Sequence, residues 1–149
     1  MASGIETNVK TTIEKTVQNE WFLTYRTDAP IEMLAFKSSP DKSRTFRWRP
    51  LDDNFVVTVL DNKEIIRKSD STKFTQVSLH LTPTYIALPK DYAPFSPFSD
   101  GSMLSHSGRF FACPNTCAGY QNSWEITLIS NNTDLIIVDG KRFKGRSTW

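Results

Sequence analysis

Apolar and polar positions alternate with a period of two along most of the chain after Trp21. Trp21, Leu23 and Tyr25 share one parity in EWFLTYR; Phe46 and Trp48 share one in TFRWRP, with Thr45, Arg47 and Arg49 on the other. In IEMLAF, Ile31, Met33 and Ala35 alternate with Glu32, Leu34 and Phe36. FTQVSLHL sets Val77, Leu79 and Leu81 against Gln76, Ser78 and His80, and SWEITLI groups Trp124, Ile126 and Leu128. Successive side chains of a strand point to opposite faces, so each run predicts a strand with one buried face. NFVVTVL is apolar at both parities and predicts a central strand covered on both sides.

Turn residues punctuate these runs. Asp61-Asn62-Lys63 predicts a tight turn between NFVVTVL and EIIRK. Asp139-Gly140 lies between Leu135-Ile136-Ile137-Val138 and Lys141-Arg142-Phe143, and supplies the positive φ angles of a two-residue hairpin. With a further turn at Asn131-Asn132-Thr133, the last third predicts a three-strand meander. The whole reads as an all-β fold, an antiparallel barrel or sandwich of about nine or ten short strands.

The first twenty residues follow another rhythm. Ile5, Val9, Ile13 and Val17 recur every four positions, and Ser3 with Glu6 fits a capping box. Several threonines, mediocre helix formers, weigh the other way. The expectation is a short N-terminal helix or extended arm over residues 1–20, followed by a single β domain over 21–149.

Composition adds bounds. A chain of 149 residues with 38% hydrophobic and 23% charged residues suits one globular domain. A net charge of +2 is too weak a field to imply nucleic acid by itself. No apolar run approaches the ~20 residues of a membrane helix, so no membrane span is expected. MASGIETNVK lacks the apolar core of a secretion signal, which predicts either an intracellular protein or an extracellular one whose signal has been removed.

Candidate chemistry is sparse. The only cysteines, Cys113 and Cys117, flank Pro114-Asn115-Thr116, so they are either a disulfide across a short bend or two reduced thiols. Their spacing lacks the βαβ context of a redox pair, and His80 and His106 give no tight metal-ligand spacing, so no metal or cofactor is expected. Asn131-Asn132-Thr133 matches the N-glycosylation acceptor pattern, with Asn131 the modified residue. No nucleophile elbow or phosphate loop occurs, and Asp52-Asp53 read as turn residues, which argues against an enzyme. A hydrolase centred on His106 and the neighbouring serines is the weaker alternative.

Two features point to recognition. Pro83, Pro89, Pro94 and Pro97 interleave with Tyr85, Tyr92, Phe95 and Phe98, predicting a long ordered loop whose rings either pack on the core or stack on a ligand. Basic residues cluster around Phe46 and Trp48 (Lys42, Arg44, Arg47, Arg49) and near the C-terminus (Lys141, Arg142, Lys144, Arg146). Interleaved with aromatics, such residues can hold single-stranded nucleic acid, or they are simply the solvated parity of a strand.

FLTYRTDAPIEMLAF, Phe22 to Phe36, resembles the opening strand pair of small fungal secreted cell-wall proteins, the group that includes IgE-binding allergens. YIALP followed by GRFFACPNT resembles their closing segment. The resemblance covers about a third of the chain and implies a non-enzymatic, surface-associated β-domain. The expected function is therefore binding or structural, with a carbohydrate or protein partner. The alternative is an assembly or viral structural subunit that contacts nucleic acid or neighbouring subunits through its basic clusters.

Overall fold

A computed structural model describes residues 8–16, 18, 20–36, 44–81, 95–97, 103–105, 110–115, 124–130, 135–138 and 141–148. Strands dominate; the described helix is the single turn α1 (Arg44–Arg47). A six-stranded sheet runs in the order β14 (Arg146–Thr148), β11 (Trp124–Ile129), β1 (Val9–Lys15), β2 (Trp21–Ile31), β7 (Phe74–Leu81), β4 (Trp48–Pro50). A four-stranded sheet runs β10 (Ala112–Pro114), β3 (Met33–Phe36), β6 (Lys63–Lys68), β5 (Phe55–Leu60). Two hairpins stand apart, β8 (Phe95–Pro97) with β9 (Met103–Ser105), and β12 (Leu135–Val138) with β13 (Lys141–Lys144). The described residues hold fourteen short strands against the nine or ten expected, because β1 falls in the expected helix or arm, β8 and β9 fall around the expected long loop, and β14 is additional.

No barrel closes among the described residues: each of the larger sheets keeps two edge strands. Their facing side chains merge into one core. Val9, Ile13, Leu23, Tyr25, Leu79 and Ile126 of the larger sheet join Leu34, Phe36, Phe55 and Ile66 of the smaller. Tyr25 keeps its polar atom satisfied there, since its hydroxyl donates to the Phe110 carbonyl at 2.6 Å. Burial pushes the Tyr25 pKa far above the usual phenol range, against a smaller downward pull from Arg44, so the hydroxyl keeps its donor proton.

Among the described residues of the N-terminal segment there is no helix: Val9–Lys15 form β1, while Ser3, Ile5, Glu6 and Val17 lie outside the described residues. A spacing of four is even, so Val9 and Ile13 share a face on a strand as readily as on a helix. Thr11 decides between the two, because it is buried between them, as a period of two requires. Its β-branched side chain suits a pleated surface. β1 lies inside the larger sheet, antiparallel to β2 and parallel to β11. That parallel pair makes the sheet mixed rather than purely antiparallel, and it makes Val9–Lys15 part of the core rather than an arm beside it.

Other expectations hold or shift locally. Val77, Leu79 and Leu81 are buried while Gln76 is exposed. Asp61 and Asn62, at φ 52° and 66°, form a two-residue turn that pairs Leu60 with Lys63. β5 is an edge strand, not a central one, and Val59 and Leu60 are 43% and 48% exposed. The C-terminal meander divides. β12 and β13 pair with each other, but β11 pairs with β14, which follows the bend at Gly145 (φ 73°).

Candidate functional site

The outer face of the six-stranded sheet collects the polar parity of its strands. Lys10, Thr12 and Glu14 come from β1; Phe22, Thr24, Arg26 and Asp28 from β2; Gln76, Ser78 and His80 from β7; Glu125 and Thr127 from β11. Register brings them into rows. Lys10 lies between Arg26 and Glu125, and Thr12 between Thr24 and Thr127. Around these rows is a shallow cleft of about 140 Å³ lined by Lys10, Thr11, Thr12, Thr24, Arg26, Glu125 and Thr127.

Cross-strand bonds hold this face in place. The Arg26 guanidinium donates from Nε and Nη2 to Gln76 Oε1 at 3.2 and 3.0 Å, which lays the planar group across β2 and β7. Thr24 Oγ1 and Ser78 Oγ share a hydrogen bond at 2.9 Å, as do Thr127 Oγ1 and Thr148 Oγ1. Asn8 donates from its backbone and side chain to the Asp28 carboxylate at 3.0 and 3.3 Å. Phe22 meets His80 edge-on at 5.3 Å, so an aromatic pair sits at one end of the same rows. The cleft itself is lined by hydroxyls, two cations and a carboxylate, with Arg26 oriented before any ligand arrives.

The basic clusters do not form one surface. Arg44 is buried, not exposed: its Nη1 lies 2.7 Å from Glu64 Oε1, and its guanidinium carbon is 4.1 Å from the Phe36 ring centroid. Helix α1 carries the side chain inward, against the surface position that its charge suggested. Arg47 is half-buried, whereas Arg49 is exposed on the outer sheet face. Lys141, Arg142 and Lys144 are exposed on β13, and Arg146 is exposed on β14. β4 and β14 bound opposite edges of six strands, so Arg49 and Arg146 stand roughly 24 Å apart at ~4.8 Å per strand.

The remaining candidates are only partly described. Tyr85, Tyr92, Phe98, His106, Cys117 and Asn131 lie outside the described residues, and Phe95 is described only as the first residue of β8. Cys113 is fully buried on β10 opposite Ala35 and holds no free thiol. Beside it, Asn115 takes the left-handed conformation (φ 64°), consistent with the bend expected at Pro114-Asn115-Thr116. Its side-chain oxygen accepts from Glu32 N at 2.8 Å, and its own N–H donates to Met33 O at 2.7 Å. Among the described residues no three His, Cys, Asp or Glu side chains converge as metal ligands, and no helix is long and apolar enough to cross a membrane.

No single segment of the sequence carries the outer face. Its signal is a charge two positions from a threonine at the outward parity, in Lys10-Thr11-Thr12, Thr24-Tyr25-Arg26 and Glu125-Ile126-Thr127. Only strand pairing reveals that the three lie side by side. No family model, curated protein or solved structure matches this chain.

Proposed function

We propose that the protein is a non-enzymatic, secreted or surface-associated β-domain whose two-sheet sandwich binds a carbohydrate on the outer face of the larger sheet. The observation that carries this reading is Arg26, held flat by Gln76 among the hydroxyls of Thr12, Thr24 and Thr127. Vicinal sugar hydroxyls both donate and accept, and this face offers both functions: a donor held in place on Arg26, a second donor on Lys10, an acceptor in Glu125, and threonines that do either. The Phe22 ring supplies an apolar surface on the same side. Tyr85, Tyr92, Phe95 and Phe98 are proposed as a second stacking contact, on the proline-rich segment. The likeness of Phe22–Phe36 to fungal cell-wall proteins supports the same class.

Glycan-array screening followed by titration tests this. A saturable hit is expected, and Arg26→Ala should weaken it about tenfold, equal to ~1.4 kcal/mol, while circular dichroism stays native. Silence across neutral and acidic glycans from natively folded protein would remove the reading.

A disulfide between Cys113 and Cys117 is part of the same proposal, since Cys113 is not a free thiol and the chain has only one other cysteine. Protein unfolded without reductant should resist alkylation at both cysteines. Alkylation of both under those conditions overturns the bridge.

A further inference from the structure

Among the described residues, β5 is the edge of the smaller sheet whose strand carries no charge, proline or glycine. Sheet edges expose unpaired N–H and C=O groups, and natural proteins blunt them with short strands, charges or proline. The other edges of the two larger sheets are blunted in this way. β10 has three residues and ends in Pro114; β4 has three and ends in Pro50; β14 has three and carries Arg146. β5, by contrast, is six residues of FVVTVL with no charge, proline or glycine, and no strand pairs with its outer side among the described residues.

The hairpin geometry states which groups are on offer. In a two-residue hairpin the residues flanking the turn form a bonded pair, so Leu60, Thr58 and Val56 direct their backbone groups to β6. Phe55, Val57 and Val59 therefore direct theirs outward. The Phe55 N–H is already used, donating to Asp52 O at 3.1 Å. The outward N–H groups that remain are those of Val57 and Val59.

We propose that a second copy of this chain pairs with β5, antiparallel to it, about a two-fold axis at Thr58. That register sets Val57 opposite Val59 of the second copy, and by symmetry Val59 opposite Val57, so both free donors and both carbonyls are bonded. Thr58 meets Thr58 on the axis, a favourable cross-strand pair. Val56 meets Leu60, covering a side chain that is 48% exposed in the single chain. No two like charges oppose each other, and the exposed Asp53 of each copy approaches the other's Lys63. The two four-stranded sheets become one continuous sheet, closed to further growth because β10 at each far end is short and proline-terminated.

Sedimentation and light scattering across a concentration series should give a mass twice 17.0 kDa. Thr58→Lys and Thr58→Glu should each be folded monomers by circular dichroism, and an equimolar mixture of the two should restore the dimer. Thr58→Cys should cross-link to itself under mild oxidation, because directly opposed non-bonded strand positions lie ~4.5 Å apart. Wild-type protein that remains monomeric into the high micromolar range overturns the proposal. So does a dimer that survives both charge variants, or growth into open-ended polymers. Should the position 58 variants misfold, Val59→Lys, at a side chain already 43% exposed, provides the same test of dimer loss.

Discussion

Arg44→Ala is expected to destabilise the domain by about 3–5 kcal/mol, the range for removing one partner of a buried ion pair. Arg44 and Glu64 are 1% and 0% exposed, and their 2.7 Å contact lies within the apolar interior. Glu64 holds a second bond, accepting from the Thr45 backbone N–H at 3.0 Å through its other oxygen. Its carboxylate thus fixes both the Arg44 side chain and the start of α1. Without the guanidinium, the buried carboxylate loses the charged partner that lies 2.7 Å from Oε1. Glu64→Ala removes the carboxylate at 2.7 Å from a buried cation that lies over the Phe36 and Trp48 rings, at 4.1 and 5.3 Å. Attraction to the two rings recovers only part of the loss, about 2 kcal/mol at a desolvated site. Urea unfolding should show both single variants with much lower midpoints and an unchanged slope. The double variant Arg44→Met, Glu64→Leu should be far more stable than either, because it removes both charges and their desolvation cost together. Equal damage from the double and the single variants would mean that the pair, not merely the absence of a lone charge, is required.

Trp48→Ala is the second large effect, about 3–5 kcal/mol from lost burial and the cavity left behind. Trp48 is 4% exposed, lies nearly parallel to Phe110 at 5.7 Å and 12°, and meets Phe36 edge-on at 5.5 Å and 81°. It joins three parts of the fold: β4 of the larger sheet, β3 of the smaller through Phe36, and the approach to β10 through Phe110. It also forms one wall of the Arg44 site. A double-mutant cycle between Trp48→Ala and Arg44→Met should therefore give a coupling of about 0.5–3 kcal/mol, since the two share contacts. Additive losses would place the two side chains in energetically separate environments.

These two residues mark where reading the sequence stops being sufficient. TFRWRP alternates, and its parity places Trp48 in the core and Arg49 in solvent, as found. The same parity groups Arg44 with Phe46 and Trp48 by number alone, and charge assigned it to a surface cluster. Its burial depends on Glu64, twenty residues later on β6, and on a helical turn that ends the strand pattern at Trp48. β1 shows a related limit. An even spacing of four satisfies strand and helix alike, so the choice rested on what the segment would pair with. That partner, β11, begins at Trp124, opposite Val9. No local signal reports a parallel pairing over such a separation.

By itself, the order of residues determined the all-β character, the inward parity of Leu23, Tyr25, Val77 and Leu79, and the tight turn at Asp61-Asn62. All of these follow from strand pleat and backbone sterics within a few residues. Tertiary structure alone decided which strands are neighbours. It thereby set the unprotected edge at β5, the partner of Arg44, and the gathering of Lys10, Arg26 and Glu125 on one face. The physical reason is range. Pleat and turn energies act between adjacent residues, whereas burial of a charge and assembly of a sheet face depend on groups brought together only when the core closes.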